Sequence, residues 1–187
     1  RDEAEAQGFM NHLTAFLKLP EKAEILDLAC GKGRHSIYLN ELGYDVIGAD
    51  LSSSSIAYAK QFENETLHFK EHDMCLPFPK KFDAVFNLFT SFGYFENEED
   101  NLRTIKAIKA ELKAGGYGVI DFLNAETVIK NLVSSEVKIV DDISFHIEKY
   151  IKDGHIIKDI HFEDNDIPYN FTENGNDVYN CYSCKKR

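Results

Sequence analysis

The residues best suited to chemistry lie between Ile25 and Asp50. An apolar run, Glu24-Ile-Leu-Asp-Leu-Ala29, ends in Cys30-Gly-Lys-Gly33, and a second run, Asp45-Val-Ile-Gly-Ala-Asp50, closes on an acid. Glycines at such a turn let the backbone come close to a bound molecule. A helix that starts after the turn presents amide groups with no partner inside the helix. An acid at the tip of the second strand can take both hydroxyls of a ribose. Together these features call for a ribose-containing cofactor. A dinucleotide loop wants Gly-x-Gly-x-x-Gly, and Ser36 stands where the third glycine belongs. Asp27, just before the turn, would repel a pyrophosphate and suits a cationic ligand with an amino-acid tail.

Other reactive residue types carry less. His68 and His72 are four apart, a metal spacing on a helix, but they fall on a strand reading, where that spacing separates them too far. Cys181-x-x-Cys184 has no second pair. No metal site is expected. Cys30 reads as a small packing residue in the turn.

The elements that position these residues follow from periodicity. Glu3 to Leu19 has Phe9, Leu13, Phe16 and Leu17 at helical spacing, with Pro20 as a stop. Strands are expected at Glu24–Ala29, Asp45–Asp50, Leu67–His72, Phe82–Phe89 and Tyr117–Phe122. Helices are expected at Arg34–Leu42, at Ile56–Phe62 behind N-cap candidates Ser52 to Ser55, and at Asn97–Lys113 capped by Gly115-Gly116. The alternation predicts an α/β fold, a doubly wound, Rossmann-like, mainly parallel sheet with helices on both faces. After about Asn131 the pattern changes. Val137–Val140, Ser144–Ile151, His155–Phe162 and Tyr169–Thr172 alternate apolar and polar residues, with Lys152-Asp-Gly154 as a hairpin turn. Residues 1–187 are expected to form one domain, 1–131 being the α/β core and 132–187 an antiparallel extension, a lid or a dimer surface.

Composition narrows the partners. The chain has 187 residues, 21 Lys plus Arg against 32 Asp plus Glu, a formal net charge of −11, and is 43% hydrophobic. That supports a packed core and disfavours nucleic-acid phosphates or anionic membranes as partners. No apolar run approaches the roughly 20 residues of a membrane span. The acidic opening RDEAEAQGFM has neither the basic region nor the apolar core of a signal peptide. Four scattered cysteines fit reduced thiols, and a cytoplasmic location is expected.

The run ILDLACGKGRHS followed by GYDVIGADLSSSSI resembles the class I S-adenosylmethionine-dependent methyltransferases. Glu71-His-Asp73-Met74 is similar to the family's acid after the third strand. Phe82 to Phe95 is similar to its fourth strand and transfer-site loop, and Leu112-Lys-Ala-Gly-Gly116 to its turn before strand five. The resemblance covers roughly Ile25 to Asn124 and is greatest to small bacterial enzymes acting on small molecules. It implies S-adenosylmethionine as cofactor. Asp27, with the backbone of Ala29, Cys30 and Gly31, would face its methionine part, and Gly33 would permit close approach. Asp50 would hold the ribose, Leu51 would pack on the adenine, Asp73 would accept from the adenine amino group, and Met74 would lie against the ring. Asn87 and Leu88 would close the site near the sulfonium.

The implied reaction is in-line displacement on the methyl carbon, driven mainly by positioning. Should the acceptor need a base, the candidates are His35 and Tyr94, each with an alternative role in packing or as an aromatic wall. Thr90 and Ser91 could orient a substrate or cap the loop.

Two features depart from the family pattern. The chain opens at Arg1, partway into the region that in relatives folds over the site. After Asn131 no clear amphipathic helix precedes a final hairpin. Both departures fall on substrate-recognition elements, so the methyl acceptor stays open beyond a small molecule, with no nucleic acid or membrane, and a homodimer through exposed strand edges is an expectation. Two rival functions remain: a non-catalytic cofactor-binding module, and an NAD-dependent oxidoreductase, which Ser36 and Asp27 disfavour.

Overall fold

Strand β1 (Glu24–Leu28) is apolar on both faces apart from Asp27, the pattern of a strand covered on both sides. In the computed structural model, which describes residues 3–177 except 90, 94, 96, 123, 124, 154 and 166, β1 is the central strand of a parallel sheet. Its partners are β2 (Asp45–Asp50), β3 (Leu67–Glu71), β4 (Phe82–Asn87) and β5 (Leu112–Ile120), in the order β3-β2-β1-β4-β5. The chain divides into two compact units, Arg1–Phe122 and Leu123–Arg187.

The pleat sorts the first unit's core into two layers. Ile25, Val46, Phe69 and Phe86 point to helices α1 (Glu3–Leu17), α2 (Arg34–Glu41) and α3 (Ser53–Ala59), which contribute Met10, Leu39 and Ile56. Leu26, Leu28, Ala49 and Val85 point the other way, to Ile108 of α4 (Glu98–Glu111). Helices therefore cover both faces, as the α/β alternation requires.

Several boundaries differ from the expectation, each for a physical reason. Helix α1 buries Ala6, Met10, Thr14 and Leu17, while Phe16 is 83% exposed. Thr14 joins the buried face because its hydroxyl donates back to the Met10 carbonyl at 3.0 Å. The helix expected at Ile56 begins earlier: Ser52 is the N-cap, its Oγ accepting from the Ser55 amide at 3.3 Å. Gly115-Gly116 does not cap α4. That helix ends at Glu111, and β5 begins at Leu112 with an irregular register opposite Phe82 and Ala84. Gly115, at φ 80°, and Gly116, whose Cβ would stand 3.0 Å from the carbonyls of Phe82 and Asp83, serve that bulge.

The second unit begins with a short helix, α5 (Ala125–Lys130), that the sequence pattern did not announce. An antiparallel meander follows, β6 (Ser135–Val140), β7 (Ile143–Lys152), β8 (His155–Asp164) and β9 (Ile167–Asp177). All four strands expected from alternation are present and longer. An aromatic ladder crosses them: Phe162 lies 4.6 Å from Phe145, 5.0 Å from Tyr169 and 5.9 Å from Phe171, centroid to centroid. Gly154 of the expected hairpin turn lies outside the described residues, as do Cys181 and Cys184.

Candidate active site

Strand order reverses at β1, whose neighbours are β2 and β4, and in open α/β sheets ligands gather outside the carboxyl ends of the strands at such a point. The turn after β1 sits there. Three of its residues have left-handed backbones: Ala29 at φ 58°, Gly31 at 56° and Gly33 at 84°. For Ala29 that conformation costs about 1–2 kcal/mol, strain of the kind that collects at functional turns.

The turn's glycines do different work. A Cβ on Gly31 would meet nothing within 4 Å, so this side of the turn is open. A Cβ on Gly33 would stand 2.5 Å from the Phe69 ring. Gly33 is therefore needed for packing on Phe69 of β3. Gly48, in the middle of β2, is as constrained: its Cβ would lie 2.6 Å from Phe69 and 2.7 Å from the Ser36 hydroxyl. The close helix–sheet contact that a third glycine gives on the helix side is obtained here from a glycine on the strand side. A glycine inside an apolar strand was the available sequence signal.

Asp27 is 2% exposed, and its Oδ2 accepts from Ser36 Oγ at 2.6 Å. Burial pushes its carboxyl up to about 6, against the Ser36 hydrogen bond, with a smaller upward push from Asp50. Asp50, at the tip of β2, accepts the Gly31 amide at 2.8 Å on Oδ2 and the Ser52 amide at 2.8 Å on Oδ1. The Gly31 N–H thus donates to Asp50 and fastens the turn to the tip of β2. A carboxylate accepts about four hydrogen bonds, so Asp50 keeps capacity for ribose hydroxyls. Beside it Leu51 is 70% exposed, an apolar plate of the kind an adenine ring would cover.

Cys30 is buried. Its amide donates to the Ala49 carbonyl at 3.1 Å, tying the turn to β2, and burial pushes its thiol up, which makes it a packing group. Asp73 Oδ1 accepts the Cys75 amide at 2.9 Å and shapes the loop after β3. Met74 lies against Asn87, whose Nδ2 contacts its sulfur at 3.7 Å and donates to the Leu28 carbonyl at 3.1 Å. Asn87 is fully buried, and its Oδ1 has no donor among the described residues. Leu88 is buried, and Ser91 Oγ donates to its carbonyl at 3.1 Å.

His35 stacks on Phe89 with centroids 4.0 Å apart, and Phe9 of α1 meets the other edge of Phe89 at 5.7 Å. Arg34 donates to His35 Nε2 at 3.0 Å, and burial, then the Arg34 charge, lower the imidazole to about 4. A ring held neutral with that lone pair engaged suits a wall better than a proton acceptor. Phe89, at φ 59°, belongs to the aromatic loop whose composition points to a partly apolar pocket; sequence reasoning missed Asp121, whose Oδ2 accepts the Phe89 amide at 3.1 Å. Tyr94 and Thr90 lie outside the described residues. Among those described, no cluster of three or more His, Cys, Asp and Glu could hold a metal ion. Among the described residues no helix is long and apolar enough to cross a membrane.

The donor set fits S-adenosylmethionine: a carboxylate for a cationic tail, a second at the ribose position, an exposed apolar plate, an open glycine and an orphaned buried acceptor in Asn87. A parallel sheet of this order with this turn defines a nucleotide-cofactor α/β enzyme class. Residues 25–116 match a family described as methyltransferase domain. The Bacillus subtilis protein YqeM, named as a methyltransferase, is 38% identical over 107 residues, 55% of this chain and 43% of that one. The dTDP-3-amino-3,4,6-trideoxy-alpha-D-glucopyranose N,N-dimethyltransferase of Streptomyces venezuelae is 31% identical over 123 residues, 64% of this chain and 51% of that one. The crystal structure of an S-adenosylmethionine-dependent methyltransferase from Clostridium acetobutylicum superposes with a TM-score of 0.73 at 22% identity, over 95% of this chain and 74% of that one. Residues 25–116 are thus a methyltransferase domain similar to the S-adenosylmethionine-dependent enzymes, and the chain spans about half the length of the curated relatives it matches.

Proposed function

We propose that the protein transfers a methyl group from S-adenosylmethionine to a small-molecule acceptor, and that the acceptor atom is an amine nitrogen. The observation that carries the cofactor half is the Asp50–Gly31 fastening beside exposed Leu51, at the carboxyl end of β2. The cofactor supplies an electrophilic methyl on its sulfonium. The chain's own residues do the rest by binding and orientation: Asp27 meets the cationic tail beside the open turn at Ala29 and Gly31, Asp50 the ribose, Leu51 and Met74 the adenine faces, and Asp73 its amino group. Asn87 and Leu88 bound the reacting end.

The amine half is supported by His35. A nucleophile that must shed a proton before attack needs a base near neutral pH. The imidazole, lowered to about 4 with Nε2 occupied by Arg34, is ill suited to that task. An amine that binds with its lone pair free, its ammonium proton given up to solvent beforehand, attacks directly, and the proton left on the methylated nitrogen goes to solvent afterwards. The other base candidate, Tyr94, lies outside the described residues. The sugar N,N-dimethyltransferase among the relatives acts on such a nitrogen, as its name states. We take 1–187 as one methyltransferase domain acting in the cytoplasm, with nucleic acid disfavoured by the charge of −11 and a homodimer through strand edges as the assembly.

The test is transfer of isotope-labelled methyl from the cofactor, using the full chain and matched panels of small amines, alcohols and thiols. Methylated amines alone are expected. Product only from alcohols or thiols would overturn the amine assignment. Cofactor binding without transfer to any acceptor would point to a non-catalytic module.

A further inference from the structure

We propose that Ser36 is a positioning residue: its hydroxyl fixes and stabilises the carboxylate of Asp27 for the cofactor's cationic amino-acid tail, and Gly48 is glycine to make room for that hydroxyl. The inference rests on the cofactor assignment above and goes beyond it in naming how the turn's acid is kept competent.

A carboxylate buried to 2% exposure loses its water and returns toward the neutral form, in which it attracts no cation. Something must counter that loss. Among the described residues the one hydrogen bond to the Asp27 carboxylate comes from Ser36 Oγ, at 2.6 Å, and Ser36 is itself fully buried. The hydroxyl cannot be there by default. A Cβ at Gly48 would lie 2.7 Å from it and 2.6 Å from the Phe69 ring, so a larger residue at that place in β2 would crowd the hydroxyl as well as the ring. Three elements thus converge on one contact: β1 supplies the acid, α2 the donor and β2 the space. The titratable groups facing Asp27 are Asp50 on β2, which raises it, and the Cys30 thiol in the turn, which burial keeps neutral. Neither can take over from Ser36. The residue that breaks the dinucleotide pattern at the third glycine is, on this account, the one that equips the site for a cation.

The test uses the full chain with Ser36→Ala and Ser36→Thr. The Asp27 carboxyl is titrated by carbon NMR without ligand, and S-adenosylmethionine affinity is measured calorimetrically from pH 6 to pH 9. Losing a hydrogen bond to a charged group should raise the Asp27 midpoint by about one pH unit in S36A. The affinity ratio of S36A to wild type should then fall about fivefold at pH 6 and return to unity at pH 9. S36T keeps the hydroxyl and should stay near wild type in both readouts. An unchanged Asp27 midpoint in S36A overturns the proposal alone, as does an affinity loss equal at every pH, which a merely structural role would give. Wild type failing to bind the cofactor at any pH overturns the cofactor assignment, and this inference with it, even if the midpoint moves.

Discussion

Asp50 Oδ2 accepts the amide of Gly31 at 2.8 Å, so the acid at the tip of β2 holds the turn after β1 in place. One residue thus shapes the loop, and on the proposed reading its remaining acceptor capacity holds the ribose. Replacing it should cost more in binding than in folding, because the rest of the turn is fastened independently by Cys30 N to Ala49 O at 3.1 Å and Gly33 N to Cys30 O at 3.0 Å. For Asp50→Ala we expect a loss of about 3 kcal/mol in cofactor binding, roughly a hundredfold, measured by calorimetry. A loss of Tm by about 10 °C or more with affinity unchanged would contradict this division of duties.

Asp27 should make cofactor affinity depend on pH. Its carboxyl is raised to about 6, so the ionised form fades as the pH falls through 6, and affinity should fall with it. The effect on folding has the opposite sense. A group whose folded value is raised from 3.8 to about 6 stabilises the fold below about pH 4, and that contribution is lost as the pH rises through 6. Asp27→Asn should therefore stabilise the ligand-free fold at pH 7 by as much as about 3 kcal/mol while abolishing binding. Urea unfolding at pH 7 checks the first part, and a destabilised Asn variant would refute it.

His35 titrates with the opposite sign. Its folded value is lowered to about 4 from 6.5, so its contribution to stability is present above 6.5 and lost as the pH falls to about 4. His35→Phe, which keeps the stack on Phe89, should flatten that acid loss and retain turnover within about threefold. A drop of a hundredfold or more, the scale of a missing general base, would restore His35 to proton transfer.

The glycines separate folding from binding. Gly48→Ala puts a Cβ 2.6 Å from Phe69 and should cost about 1–3 kcal/mol of stability. Gly31→Ala meets open space, so only its φ of 56° opposes it, at about 1 kcal/mol, while the new methyl occupies the ligand's side of the turn. Thermal unfolding, and cofactor titration at pH 9, where displacing the Ser36 hydroxyl no longer changes the ionisation of Asp27, should show opposite rankings for the pair. Equal effects in both measurements would mean that Gly31 does not border the site.

Much of this was legible in the sequence because local chemistry and fold agreed. The strand–turn–helix–strand from Glu24 to Asp50 was visible as apolar runs broken by glycines, and β2 was placed to the residue. What escaped were relations between residues distant in sequence. That Gly33 and Gly48 both serve Phe69 depends on the β2–β3 register, which pairs Gly48 with Phe69. Ser36 read as a defect in a glycine motif, because its partner Asp27 is nine residues away and visible only when α2 folds back over β1. Periodicity favours Phe16 over Thr14 because a threonine that satisfies its own hydroxyl looks polar in a sequence and is apolar in a core. The bulge in β5 resembles a helix cap in sequence because glycine pairs serve both.

The central claim is that the turn after β1 and the acid after β2 form an S-adenosylmethionine site. It is tested most directly by calorimetric titration of the wild-type chain and of Asp50→Ala with S-adenosylmethionine and, separately, with NAD. We expect wild type to bind S-adenosylmethionine, Asp50→Ala to lose roughly a hundredfold, and NAD to give no heat with either. Binding of NAD instead, or S-adenosylmethionine binding indifferent to the loss of Asp50, would contradict the account.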